Sequence, residues 1–153
     1  MGSLELKVPP PVVGLLIIVL MGLTAATFPE ARFDLPGHHL LASGLALAGI
    51  AIAVSGVGAF RRVGTTMNPM NPATASALVQ TGIFRFTRNP MYLGVSIVLV
   101  AWGVELANLA AGLLIPVFVL YIGRFQIRPE ERALVARFGQ AYEDYKAKVR
   151  RWL

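Results

Sequence analysis

The chain contains no cysteine, and its 153 residues include only two histidines, His38 and His39. Without cysteine there can be no disulfides, zinc–thiolate sites, iron–sulfur clusters or cysteine nucleophiles. Charged residues are scarce, at 14% against about 25% in ordinary globular proteins, whereas hydrophobic residues make up 56%. The mean hydropathy of +0.64 is too high for a surface that faces water. The composition therefore excludes an ordinary soluble enzyme and a disordered chain.

Four long stretches of the chain lack any Asp, Glu, Lys or Arg. They cover residues 8–29, 35–60, 89–104 and 106–123, and only Glu105 separates the last two. Because a helix needs about 20 residues to cross the apolar core of a bilayer, we predict transmembrane helices at 11–28, 39–59, 90–105 and 109–124. The short connection between the last two predicts a helical hairpin. The expected fold is all-α, a polytopic membrane protein with about four transmembrane helices in one domain, 1–153.

The basic residues indicate how these helices are oriented. If both termini lie on one side, thirteen of the fourteen Lys and Arg residues share that side, and only Arg32 lies opposite. By the positive-inside rule the basic side is cytoplasmic, so both termini are expected there. The net charge of +6 then reflects topology and attraction to anionic lipids. Nucleic-acid binding is not expected, because the 61–88 segment offers only Phe84 and Phe86 for base stacking.

Two features within the predicted spans concern helix packing. The second span carries small residues at helical spacing, namely Ala42, Ala46, Gly49, Ala53 and Gly56. Small residues allow helix backbones to approach closely in lipid, so we interpret them as a packing surface. Pro116 lies in the middle of the fourth span and should kink that helix.

Outside the spans, the first stretch that could carry chemistry is residues 61–89, which lead through Arg88-Asn89-Pro90 into the third span. Proline suits the first turn of a helix, where its missing N–H costs least. The free N–H groups at such a helix start favour a ligand carboxylate or a ribose oxygen. A plain cytoplasmic loop fits the composition equally well.

The second such stretch is residues 124–153. Pro129 followed by Glu130 and Glu131 favours a helix start, because carboxylates are stabilised at the positive end of the helix dipole. An apolar stripe follows at steps of three or four, formed by Leu134, Phe138, Ala141, Tyr145, Val149 and Trp152. We expect a cytoplasmic interfacial C-terminal helix, or two helices broken at Gly139.

The chemistry open to the basic side is narrow, since it carries no His and no Cys. It therefore lacks histidine, the commonest general base. Glu130 and Glu131 are adjacent and would point about 100° apart on a helix, so they would not chelate one ion well and no metal site is predicted. The two acids need a partner, either a cationic ligand or one of Arg124, Arg128 and Arg132. Transfer of a methyl group from a sulfonium to a carboxylate, thiolate or amine needs little acid–base help and fits these limits.

Three motifs occur in order along the last two thirds of the chain, over about 57–152. They are Leu78-Val79-Gln80-Thr81-Gly82-Ile83-Phe84, Arg88-Asn89-Pro90-Met91-Tyr92-Leu93-Gly94, and Glu130-Glu131 followed by Phe138-Gly139, Tyr142 and Tyr145. This ordered set around a membrane hairpin resembles the isoprenylcysteine carboxyl methyltransferase family and the related phospholipid methyltransferases.

The resemblance implies a membrane enzyme that uses S-adenosylmethionine and takes a lipophilic acceptor from the bilayer. Its cofactor segments would be 76–94 and 124–153. Carried over by position, the cofactor-binding residues would be Leu78, Val79, Phe84, Asn89, Pro90, Met91, Tyr92 and Glu130.

The chain departs from the prenylcysteine enzymes at two positions. Asn89 stands where those enzymes have histidine, and Gln126 stands where an arginine contacts substrate. Arg124 and Arg128 lie two residues to either side of Gln126 and are the candidates for positioning the substrate.

Two other functions compete with methyl transfer. Sterol-reductase C-terminal regions carry a similar Arg-Asn-Pro-x-Tyr element but bind NADPH, whose phosphates call for more arginines and fewer acids. A non-catalytic membrane scaffold would need neither the Asn-Pro-x-Tyr element nor the acids. The Glu130-Glu131 pair favours methyl transfer.

Overall fold

The computed structural model describes residues 4–65, 68 and 70–153, and every regular element in them is a helix. The α-helices are α1 (Pro10–Thr27), α2 (His38–Val63), α3 (Pro90–Leu106), α4 (Leu109–Gly112), α5 (Leu114–Ile122), α6 (Arg128–Phe138) and α7 (Gln140–Lys148). A π-helical turn, Gly123–Ile127, joins α5 to α6, and short 3₁₀ turns lie at Pro29–Ala31, Pro72–Thr74 and Gly82–Arg85.

The predicted all-α membrane fold is confirmed. Three helices are long and apolar enough to span a membrane, at Pro10–Thr27, His38–Val63 and Leu109–Phe138, while Pro90–Leu106 is shorter with 17 residues. A 17-residue helix is about 26 Å long, slightly less than a typical apolar core of about 30 Å. The fourth span was predicted to end at residue 124, and the helical backbone continues beyond that point to Phe138.

A hydrogen bond from the segment before α1 explains why the helix does not end before Pro129. A proline has no N–H, so the carbonyl four residues earlier, that of Phe125, loses its helical partner. The backbone N–H of Leu6 donates to this carbonyl at 3.1 Å. The segment before α1 therefore supplies the missing hydrogen bond and lets the chain pass through Pro129 without a break.

The regular α-helix is interrupted just before Pro116, where a kink was predicted. The regular α-helix stops at Gly112 and resumes at Leu114, so that Leu113 is a turn residue. Gly112 is the residue whose carbonyl the missing N–H of Pro116 would have bonded, which accounts for the position of the interruption.

The small residues of α2 pack directly against α3. A Cβ atom added at Gly49 would lie 2.7 Å from the carbonyl oxygen of Gly94, and one added at Gly94 would lie 2.5 Å from the carbonyl oxygen of Gly49. A Cβ atom at Gly56 would lie 3.0 Å from Pro90. Backbone thus meets backbone along this interface, and the interpretation of the stripe as a packing surface is confirmed.

The other side of α3 packs against α1 and α5. Met21, Leu99 and Phe118 are fully buried at the centre of this core. The indole N–H of Trp102 donates to the carbonyl of Ile18 at 3.1 Å, which ties α3 to α1. Helix α3 is therefore held on both sides, by backbone contact with α2 and by side-chain packing with α1 and α5.

A tight turn joins α3 to α4 and forms the predicted hairpin. Ala107 adopts a left-handed conformation with φ of 44°, and Asn108 then caps α4 by accepting from the N–H of Ala111 at 3.0 Å. The side-chain amide of Asn108 also donates to the carbonyl of Phe28 at 2.8 Å. Asn108 is 1% exposed and ties this turn to the end of α1.

Replacing Asn108 with alanine should lower the free energy of unfolding by about 1–3 kcal/mol, because the cap and the bond to Phe28 are both lost. Asn108→Ser keeps a neutral capping oxygen but loses the bond to Phe28, and should cost less. Thermal unfolding in detergent measures both. Equal stability of the wild type and both variants would contradict this role.

The opposite end of the helices carries most of the arginines, and we call it the basic end. There α2 ends, α3 begins at Pro90, and the helical backbone leads from α5 into α6. The chain turns sharply at Gly139, which has φ of 54°, so the region after the spans is two helices rather than one. Of the two arrangements expected for this region, the structure shows the broken pair.

Candidate active site

A cavity lies at the basic end, between the start of α3, the 72–84 segment, α6 and α7. The volume of the cavity is about 110 Å³, and it opens to the surface. Its walls are mostly apolar, with a few polar groups provided by Arg88, Asn89, Tyr92, Glu130 and Glu131. An apolar pocket with a small number of placed charges is the usual form of a cofactor site.

Glu130 is the centre of one hydrogen-bonded set of side chains in the cavity. The phenol of Tyr92 donates to Glu130 Oε1 at 2.5 Å, and the amide of Gln126 donates to the same oxygen at 2.7 Å. Tyr92 and Gln126 are 6% and 2% exposed. Two buried donors therefore fix this carboxylate through one of its oxygens.

Glu131 is the centre of a second set, which it forms with two arginines. The Arg151 guanidinium binds both oxygens of Glu131, at 3.0 and 2.6 Å, and Arg88 Nη1 lies 3.3 Å from Glu131 Oε1. The Arg88 side chain is only 10% exposed. Within the described chain, its Nε and Nη1 atoms are buried and have no hydrogen-bond acceptor, although Nη1 is close enough to Glu131 for an ion pair. Arg88 thus keeps unused donors in the cavity wall.

The backbone carbonyls of residues 150 and 151 bind the residues that directly precede α3. The N–H of Arg88 donates to the carbonyl of Arg150 at 3.0 Å, and the amide of Asn89 donates to the carbonyl of Arg151 at 2.9 Å. The hydroxyl of Thr87, which is fully buried, donates to the same Arg151 carbonyl at 3.3 Å. The side-chain amide of Asn89 therefore fixes the start of α3 to the C-terminal segment.

Aromatic residues close one wall of the cavity. Phe84 is 5% exposed and packs edge-to-face on Phe60, with 5.3 Å between ring centres. The phenol of Tyr145 donates to the carbonyl of Phe84 at 2.7 Å. Burial raises the pKa of Tyr142 to about 12, and it also raises the pKa of Tyr145, so both phenols stay protonated and can donate at neutral pH.

The structure brings the eight predicted cofactor-binding residues together. Leu78, Val79, Phe84, Asn89, Pro90, Met91, Tyr92 and Glu130 all line the cavity. Arg124 and Arg128, the candidates for substrate positioning, do not line it. Arg124 instead pairs with Glu5 at 2.7 Å.

The predicted arginine partners of the two acids are replaced by others. Glu130 binds Tyr92 and Gln126, and Glu131 binds Arg151 and Arg88, rather than Arg124, Arg128 or Arg132. Gln126 is a near neighbour of Glu130, but the other partners, Tyr92, Arg151 and Arg88, are 20 or more positions away from the acid that they contact. Arg88 and Glu131 were not among the predicted site residues, although Arg88 directly precedes the Asn-Pro motif.

The part of the chain that the structure describes contains no group of three or more His, Asp or Glu side chains that could hold a metal ion. The acids of the cavity are instead matched with arginine, tyrosine and glutamine. The polar groups of this site suit an organic ligand that carries both signs of charge.

These features define a class, an all-helical integral membrane protein with a charged cavity at the basic end of its helices. Residues 38–141 match the phospholipid methyltransferase family, and the chain belongs to it. It is a membrane methyltransferase. A protein of Haemophilus influenzae, described only as an uncharacterized protein, is 48% identical over 63 residues, which are 41% of this chain and 100% of that protein. No solved structure matches the chain at a significant level.

Proposed function

We propose that residues 1–153 act as one domain, an S-adenosylmethionine-dependent methyltransferase whose acceptor is a lipophilic carboxylate, amine or thiol. The observation that carries this proposal is the cavity, where an arginine with unused donors and two fixed carboxylates stand in an apolar wall. S-adenosylmethionine has one carboxylate, one ammonium and one sulfonium, together with a flat aromatic base. The cavity has a residue that suits each of these parts.

Each part of the cofactor can be assigned to cavity residues of matching chemistry. Arg88 suits the carboxylate, because its buried Nε and Nη1 atoms lack acceptors within the described chain. Glu130 suits the cationic groups or a ribose hydroxyl, since Tyr92 and Gln126 hold it in place. Val79 and Phe84 supply an apolar surface for the base.

The protein's part in the reaction is to bind, align and keep out water. When bound, the cofactor supplies an electrophilic methyl group. The apolar wall removes water from the acceptor, which raises its reactivity without a general base. Alignment of acceptor and methyl then supplies much of the rate enhancement. Arg124 and Arg128 lie outside the cavity, so we propose Arg88 as the arginine that faces the bound molecules.

A lipophilic acceptor fits the position of the cavity. It lies where α3 begins, at the end of a largely apolar helix, so a hydrocarbon tail can stay in lipid while its polar head enters. The family name supports a lipid as acceptor.

We further propose that both termini are cytoplasmic, because the cavity must face the compartment that holds S-adenosylmethionine. The chain has no cysteine, so one cysteine introduced at an exposed site such as Arg62 reports its own accessibility. It should react with an impermeant thiol reagent only when the membrane is opened. Labelling from outside intact cells would contradict the orientation and the proposed function.

Calorimetric titration of the purified protein with S-adenosylhomocysteine and, separately, with NADPH tests the proposal. We expect binding of the first alone. Among the described residues that line the cavity, Arg88 is the only basic one, which is too little positive charge for the phosphates of NADPH. Binding of NADPH alone would favour the reductase, and binding of neither would favour a scaffold.

Tyr92→Phe should weaken binding of S-adenosylhomocysteine about tenfold, because Glu130 loses one of its two donors. Tyr92→Ala should weaken it about a hundredfold or more, since the aromatic wall is lost as well. The same calorimetric titration measures both. Equal damage by the two substitutions would mean that the hydroxyl, and not the ring, carries the contribution of Tyr92.

A further inference from the structure

A second concave surface lies beside the cavity, on the other side of Glu131. We call it the basic groove, and it is formed by α6, α7 and residue 151. Its lining residues are Arg128, Glu131, Arg132, Val135, Ala136, Glu143, Lys146 and Arg151. Four of these are cationic and two are acidic, so the groove carries a surplus of positive charge.

The acidic partners leave one cation of the groove unmatched. Arg151 is bound by Glu131 at 2.6 Å, Lys146 by Glu143 at 3.0 Å, and Arg132 by Glu5 at 2.6 Å. Arg128 has no acidic partner or hydrogen-bond acceptor among the residues that the structure describes, and it is exposed. Its guanidinium is therefore available to an anion.

The groove lies at the depth of lipid headgroups. The uncharged run of the last span ends at Gly123, and Arg128 follows five residues later, about 7 Å further along the helix. Trp152, next to Arg151, packs against the core of α1, α3 and α5 together with Val8. A tryptophan in this position is typical of the boundary between lipid and water.

From the free guanidinium, the surplus charge and the depth, we infer that the basic groove binds the phosphate of an anionic phospholipid headgroup. Arg128 and Arg132 lie one helical turn apart on the same face of α6. Guanidinium groups match the oxygens of a phosphate through paired N–H donors. The two acids of the groove do not oppose binding, because Glu131 is neutralised by Arg151 and Arg88, and Glu143 by Lys146.

This lipid site is distinct from the site proposed for the cofactor. The Glu131 carboxylate and its arginines stand between the two, and of the residues discussed only Glu131 lines both. A bound headgroup would hold the protein at a fixed depth and keep the mouth of the cavity at the membrane surface.

Native mass spectrometry of the protein in a neutral detergent tests the inference. The probes are phosphatidylglycerol, phosphatidylcholine with the same chains, and inorganic phosphate, each added without cofactor. We expect phosphatidylglycerol to bind in preference to phosphatidylcholine, and Arg128→Gln to weaken its binding about tenfold. Arg62→Gln is the matched control, since it removes an exposed arginine from the same end of the helices but outside the groove.

Equal binding of phosphatidylglycerol to the wild type and to Arg128→Gln would overturn the site. Equal loss in Arg62→Gln would show a general effect of charge and would overturn it too. Binding of inorganic phosphate without binding of the lipid would overturn the assignment to a headgroup. The measurement needs no cofactor, so failure of the proposed methyltransferase activity would leave its result unchanged.

Discussion

Replacing Glu130 with glutamine should weaken S-adenosylhomocysteine binding about tenfold to a hundredfold, while the helices remain folded. Glutamine keeps the shape of glutamate, but it removes the negative charge that we propose faces the cofactor. Its amide group must also meet the donors of Tyr92 and Gln126, which now point at Glu130 Oε1 from 2.5 and 2.7 Å. A hydrogen bond to a charged group contributes about 1.5–3 kcal/mol, or about tenfold to a hundredfold in affinity.

The matched control is Glu143→Gln, in which an acid from the first turn of α7 is changed. Glu143 pairs with Lys146 and does not line the cavity, so cofactor affinity should stay as in the wild type. Glutamine is preferred to alanine at position 130 because the structure places this carboxylate among buried partners rather than on an open surface. Unchanged affinity in Glu130→Gln would remove the central residue of the proposed function.

Adding a single methyl group at Gly49 should destabilise the helix bundle by about 1–3 kcal/mol. The new Cβ atom would lie 2.7 Å from the carbonyl oxygen of Gly94 and 2.9 Å from a methyl of Val98. A backbone carbonyl cannot turn away as a side chain can, so α2 and α3 would have to separate. Gly94→Ala should act in the same way, with its Cβ atom 2.5 Å from the carbonyl oxygen of Gly49.

Gly44→Ala is the control for this substitution, because Gly44 lies on the same helix and nothing would come within 4 Å of its new Cβ atom. Alanine is the better helix former, so this variant should equal the wild type or exceed it by up to about 1 kcal/mol. Thermal unfolding in detergent distinguishes the two positions. The same change in stability at Gly49 and Gly44 would contradict the close contact between α2 and α3.

The sequence predicts the apolar helices well because their signal is local. Four uncharged runs give four apolar helical segments, and the small residues of α2 show where another backbone approaches. The continuation of the helix through Pro129 could not be predicted in this way. It depends on Leu6, which is more than a hundred residues away in the chain and donates to the carbonyl that Pro129 leaves free.

The same limit applies to the candidate site. Motif resemblance supplied eight residues that the fold gathers in one cavity, because each belongs to a short continuous motif. The partners of the acids were missed, since Glu131 meets Arg151 and Arg88 only after the chain has folded back. Charge spacing along a sequence indicates neighbours on one helix, and it carries no information on contacts between separate segments.

The hydrogen bonds from Arg88 and Asn89 to residues 150 and 151 also impose an order on biosynthesis. Helices α2 and α3 can pair as soon as both have left the ribosome and entered the membrane, since their contacts lie within residues 38–106. The cavity cannot close at that stage, because α6 and residues 150 and 151 have not yet been made. A nascent chain at this stage is therefore held in the bilayer by helix packing alone.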